Sequence, residues 1–122
     1  GKPFNKRKAT TDHWYSLAVG SSECQISIDL VNKDHKIRVG LWISDNKDRF
    51  DYMHQHKEEI EVAMGFPLFW QRLDNKKSSL ICTYIKGLDF KAQDNYPELM
   101  NEAIDLVVKM RDVLKKYIQA EL

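Results

Sequence analysis

Cysteine is scarce in this chain of 122 residues: there are two, Cys24 and Cys82. No C-x-x-C pair occurs, and two thiols fall short of the framework that staples small secreted domains. Both lie in apolar, strand-like runs, so they are expected as small buried core residues. A reducing compartment is implied, and cytoplasmic is the expected location. Long hydrophobic runs are also missing, since nothing approaches the ~18 residues of a membrane span. The first residues, Gly1-Lys2-Pro3-Phe4-Asn5-Lys6-Arg7-Lys8, have no apolar signal-peptide core. A membrane is therefore not an expected partner. The five glycines are scattered singly, which excludes a phosphate-cradling loop. An excess of one charge is missing too: 19 basic against 18 acidic residues leave +1. The whole-molecule field favours neither nucleic acid nor an anionic surface, and such binding must come from a local patch.

What is present is ordinary globular composition, 43% hydrophobic and 30% charged, enough for one domain with its own core. A chain that opens on glycine rather than methionine reads as a domain excised from a longer protein. Residues 1–13 are polar and basic and read as a linker or N-terminal extension; residues 14–122 read as a single α+β domain. Trp14 to Val19 is β-compatible and is ended by Gly20-Ser21-Ser22. Ile26, Ile28 and Leu30 alternate with polar neighbours. After a turn at Asn32-Lys33-Asp34-His35, Ile37, Val39, Leu41 and Ile43 do the same. The pair predicts a β-hairpin with one face in the core.

The period then changes. Phe50, Met53, His54, Lys57, Ile60 and Met64 recur at three- and four-residue steps and predict one helix face. Ser44 or Asp45 is placed to cap its start, and Gly65 with Pro67 to end it. Leu68–Leu73 and Ser79–Ile85 predict a second hairpin about Asp74-Asn75-Lys76-Lys77. A loop over 86–95 leads to Asn95-Tyr96-Pro97-Glu98, a helix start. Leu99, Ala103, Leu106, Val107, Met110, Val113, Leu114, Tyr117 and Ile118 then form a wide apolar stripe. The order βββαββα, with short turns, predicts an antiparallel five-stranded sheet with two helices on one face.

No catalytic or metal-binding set emerges, and no cofactor is expected. His54 and His56 lie two apart on a helix, about 200° around it, and cannot grip one ion together. His54, on the apolar stripe, is expected to be a structural, hydrogen-bonded residue. Magnesium-dependent nucleases use an acid-x-Lys step, because paired carboxylates hold the metal and the lysine orients the attacking water. Four Asp-x-Lys triplets occur, beginning at Asp34, Asp45, Asp74 and Asp89. All start in turns or at element ends, where solvated Asp and Lys are expected anyway. Neither cysteine sits where a basic cluster or helix start would lower its pKa. Lys57 falls on the apolar stripe, where its stem is expected to run along the core edge while its ammonium reaches water or Glu61, one turn on.

Cationic and aromatic surfaces carry more information. Lys6-Arg7-Lys8 is a local cluster, Lys76-Lys77 tips a hairpin, and Lys109, Lys115 and Lys116 lie off the helical stripe. Arg38 and Trp42 share the outward face of their strand if Val39 and Leu41 face inward. An outward Trp beside an Arg suits a stacked base or a partner protein. The candidate nucleic-acid contacts are therefore Lys6, Arg7, Lys8, Arg38, Trp42, Lys76 and Lys77.

Several fragments together resemble a known family. Trp14-Tyr15-Ser16-Leu17-Ala18-Val19-Gly20 is similar to an opening motif. Lys57-Glu58-Glu59-Ile60-Glu61 followed by Gly65, Pro67-Leu68 and Trp70 resembles a helix-end motif, and Lys77, Ser78 and Ile81 match the family pattern just beyond it. Where that family carries a Trp before the last helix, this chain has Tyr96-Pro97. The family is a prokaryotic domain of unknown function found at the C-terminus of restriction-endonuclease-like proteins. The resemblance implies a non-catalytic accessory module tied to nucleic-acid processing or phage defence, with nuclease chemistry in an upstream domain. The expected partners are nucleic acid, that upstream domain, or a second copy of the chain. A protein-interaction or dimerisation module using the outer sheet face is the alternative.

Overall fold

The computed structural model describes residues 11–31, 36–86 and 96–122, with the backbone alone for 11–14 and 96. Alternation along two adjacent runs makes the centre of the sheet. β2 (Cys24–Val31) pairs antiparallel with β3 (Lys36–Ser44), with Ile26 opposite Leu41 and Ile28 opposite Val39. Because side chains alternate between faces, Ile26, Ile28, Ile37, Val39, Leu41 and Ile43 all point one way, and all are fully buried. β1 (Thr11–Ala18) pairs with β2, and the register slips between His13 and Tyr15. β1 thus begins three residues before Trp14.

Chain order and spatial order part company on the far side. β5 (Ser78–Lys86) lies beside β3, and β4 (Phe69–Gln71) takes the edge. The sheet is five-stranded and antiparallel throughout, ordered β1-β2-β3-β5-β4. The α+β architecture with βββαββα order is as the sequence implies. The strand expected over 68–73 contracts to three residues, because Leu73 turns out of the ladder with φ 56°.

The first helical region is two segments rather than one: α1 (Lys47–Gln55) and α2 (Lys57–Met64), meeting at His56. The His56 N–H bonds back only three residues, to the Met53 carbonyl at 2.9 Å, tightening the turn. Its ring lies 5.0 Å from Tyr52 and 5.2 Å from Tyr117, and its Nδ1 is 2.7 Å from Glu59. Those side-chain contacts hold the bend. The α1 cap is Asn46, not Ser44 or Asp45: its side-chain oxygen accepts the Arg49 N–H at 2.9 Å. Asp45 instead takes a left-handed φ of 51° and its N–H goes to the Lys77 carbonyl.

α3 (Tyr96–Ile118) presents the expected stripe, with Ala103, Val107, Met110, Leu114, Tyr117 and Ile118 buried. Asn95, expected as its cap, lies outside the described residues. Pro97 fits the first turn, where its missing N–H would have no helical partner. The far end is closed by Arg49, whose Nη1 donates to the carbonyls of Tyr117 (2.9 Å) and Ala120 (2.6 Å). A cation suits that end of a helix dipole. Glu23 holds the same arginine through Nε at 3.2 Å.

Gly65 ends α2 in the left-handed conformation, φ 92°, as expected. Beyond it Glu61 fastens the returning chain. Its Oε2 accepts the Leu68 N–H at 2.8 Å and the Trp70 indole N–H at 3.0 Å, and Lys57 reaches its Oε1 at 3.3 Å. These are residues of the helix-end motif, so that motif is a structural clasp joining α2 to β4. His54 is not a core residue. It is exposed at the flank of the stripe, with rings at 6.0 Å from Phe50 and 5.5 Å from Trp70. Among the described residues no helix is long and apolar enough to cross a membrane.

Candidate functional site

With the helices on one face of the sheet, the other face is built from the alternate residues. Register places Ser27 and Asp29 of β2, Arg38, Gly40 and Trp42 of β3, Leu80, Cys82 and Tyr84 of β5, and Phe69 of β4 together there. At the centre the strands approach closely over Gly40, where a Cβ would stand 2.7 Å from Cys82 Cβ and 2.8 Å from Leu80 Cδ1. Only glycine fits, so this part of the face is low. Ser27, Asp29, Leu80 and Cys82 are all buried within it.

Arg38 and Trp42 do share this face, as expected, with the guanidinium carbon 5.4 Å from the indole centroid. Arg38 also donates to Asp29 at 3.3 Å, and Asp29 accepts the Ser27 hydroxyl at 2.9 Å. Asp29 is 7% exposed and Arg38 20%, so the arginine compensates a buried carboxylate and is not simply a free surface cation. Its Nε–H is buried and meets no acceptor among the described residues.

At the end of β3 and β5 lies a second grouping that sequence reasoning missed. Tyr84 stands opposite Arg38, and Lys36 opposite Lys86. The Lys36 ammonium lies 4.0 Å from the Tyr84 centroid, a cation–π contact of about 0.5–1 kcal/mol at a surface. Phe69 completes the group, 5.2 Å from Tyr84 and tilted 68° to it. Phe69 is 52% exposed, unusual for a large apolar ring in a strand. Burial, followed by the neighbouring Cys82 thiol, pushes the Tyr84 phenol up, so it stays neutral. The available signal was outward parity: Phe69 and Tyr84 have the opposite phase to Trp70 and Ile81.

The other expected site residues scatter. Lys6, Arg7 and Lys8 lie outside the described residues. Lys76 and Lys77 are exposed in the turn before β5, separated from Tyr84 by nearly the whole strand, about 24 Å at the extended rise. Lys109, Lys115 and Lys116 are exposed on α3, on the helical layer.

Two of the Asp-x-Lys triplets are structural. Lys47 donates to the carbonyls of Arg72, Leu73 (2.9 Å) and Ser78 (2.8 Å) and to the Ser79 hydroxyl (3.0 Å). Asp74 pairs with Arg72, which Asp51 also holds at 2.9 Å. The triplets at Asp34 and Asp89 lie partly or wholly outside the described residues. Burial pushes both thiols up, away from the thiolate a nucleophile needs. Cys24 faces the helices and Cys82 the opposite side of the sheet. Between α2 and α3 runs a groove of about 540 Å³ lined by Glu59, Ala63, Asp112, Lys116, Tyr117 and Gln119. Its acids and bases alternate, so it offers no single-sign field. Among the described residues no group of three or more His, Cys, Asp or Glu is placed to hold a metal.

These features define a two-layer α+β module whose outer sheet face carries cations against aromatic rings. The model of the family described as Domain of unknown function (DUF4268) matches residues 1–118, and the chain belongs to that family. Comparison with curated proteins and with solved structures gives no match.

Proposed function

We propose that this domain is a non-catalytic accessory module of a larger nuclease-like or defence-related protein, and that its outer sheet face contacts nucleic acid. The observation that carries the reading is the gathering of Lys36, Arg38 and Lys86 around Tyr84, with Arg38 also laid against Trp42. In a molecule of net charge +1, a local cluster of this kind is what allows phosphate contact. The nuclease-like context comes from the motif resemblance. The Glu61 clasp and the Lys47 cage support the accessory role, because they give charged motif residues structural employment.

The test is fluorescence anisotropy with labelled single-stranded and duplex DNA across a salt series. Saturable binding that weakens steeply with salt is expected, with a shallower slope in Lys86→Gln. Absence of binding at tens of micromolar protein in low salt overturns the reading. Lys86 is the residue to change, since Arg38 is tied to the buried carboxylate of Asp29 and its removal would disturb the fold as well as the surface. The half-exposed Phe69 favours the second reading, a protein-interaction or dimerisation module using the same face. That reading expects a concentration-dependent mass in sedimentation, abolished by Phe69→Asp.

A further inference from the structure

We infer that the nucleic acid taken by the outer face is single-stranded, with a base stacked on Phe69 beside Tyr84 and the adjoining phosphate on Lys86. This rests on the nucleic-acid reading above and narrows it.

The exposed ring argues first. Ser27, Leu80 and Cys82 at the centre of the face are buried, while Phe69 at its margin is 52% exposed. A duplex laid on that margin would meet the ring with its sugar–phosphate ridges, where aromatic surface gains nothing. Single strands offer unstacked bases, and every base has a π-face.

The arrangement of side chains argues second. Phe69 pairs in register with Cys82, two residues before Tyr84 on the same face of β5. The two rings are 5.2 Å apart and inclined at 68°, so one base can lie flat on Phe69 with the edge of Tyr84 alongside. Tyr84 is covered by Lys36 on its other flank, which leaves Phe69 as the accessible stacking surface. Lys86 is exposed, two residues beyond Tyr84 and directly across from Lys36. The rings of β4 and β5 thus have an exposed cation one step further along β5, as a base has a phosphate beside it along an extended strand. The neutral phenol of Tyr84 adds no repulsion toward phosphate.

Binding of a labelled oligothymidine and of a duplex of equal length decides the matter, using the whole chain, Phe69→Ala, Phe69→Leu and Lys86→Gln. Tighter binding of the single strand is expected. Both Phe69 variants should weaken it about tenfold, the worth of one stacked base, with the salt slope unchanged. Lys86→Gln should instead reduce the single-strand slope by about 0.7, one phosphate contact. Phe69→Leu keeps apolar bulk, and thermal unfolding of each variant separates lost binding from lost fold. Equal binding of duplex and single strand, or no effect of either Phe69 variant in a folded protein, overturns this inference while leaving the nucleic-acid reading intact. Failure of both probes to bind overturns the two together.

Discussion

Glu61 on α2 accepts the indole N–H of Trp70 on β4 at 3.0 Å, across the chain reversal at Gly65. One carboxylate thereby sets the angle between a helix and an edge strand. The Leu68 N–H shares the same oxygen, and Lys57 balances the charge from the preceding turn of the helix.

Acid should undo this clasp. The Leu68 N–H first, then the Trp70 indole and Lys57, hold the Glu61 carboxyl below its ordinary value of 4.5. The unfolded chain therefore takes up a proton at higher pH than the folded one, and stability rises with pH across that window. The contribution is complete above pH 4.5 and is lost as pH falls through the depressed folded value. Arg72 beside Asp51 and His56 beside Glu59 act in the same direction. Thermal unfolding of Glu61→Gln should show a flatter acid limb than the parent. Glu61→Ala should lose about 2 kcal/mol at neutral pH through two unsatisfied donors. An unchanged acid limb in Glu61→Gln would assign the acid sensitivity elsewhere.

Gly40 is fixed by contact rather than by backbone conformation. A methyl group there collides with Cys82 and Leu80, at 2.7 Å and 2.8 Å. Gly40→Ala should destabilise by about 1–3 kcal/mol, as overpacking does, and Gly40→Val by more. Urea unfolding measures both. A neutral Gly40→Ala would mean that β3 and β5 separate at this point at little cost.

Lys47, the lysine of an Asp-x-Lys triplet, is a folding residue. Its ammonium joins three carbonyls and the Ser79 hydroxyl, so Lys47→Met leaves the β4–β5 turn with unpartnered acceptors. A loss of about 1–3 kcal/mol is expected, together with faster amide exchange at Lys76, whose N–H closes that turn onto Leu73. Lys47→Arg should not rescue it, since a planar fork cannot serve four acceptors arranged around one point. Unaltered exchange at Lys76 would show that the turn holds without the cage.

The sheet was readable because Ile26, Ile28, Val39 and Leu41 alternate so regularly, and α3 because its stripe is wide. The break at His56 was not readable. It depends on a ring lodged against Tyr117, a partner far along the chain on another helix. The position of β5 between β3 and β4 is likewise a long-range choice, made by pairings such as Gly40 with Cys82. His54 was misplaced because periodicity locates a stripe but not its edge, and Phe50 with Trp70 occupy the ground beneath it. Arg38 and Trp42 were found from parity alone. Phe69 and Tyr84 escaped because their importance lies in meeting each other, which parity within one strand does not reveal.

The margins of the sheet bear on how copies of this domain meet one another. At one side β4 offers only three residues, and at the other the register slip in β1 disturbs the regular row of amides and carbonyls. Short and irregular borders are poor templates for a foreign strand. Copies brought close together are thereby discouraged from zipping strand to strand into fibres.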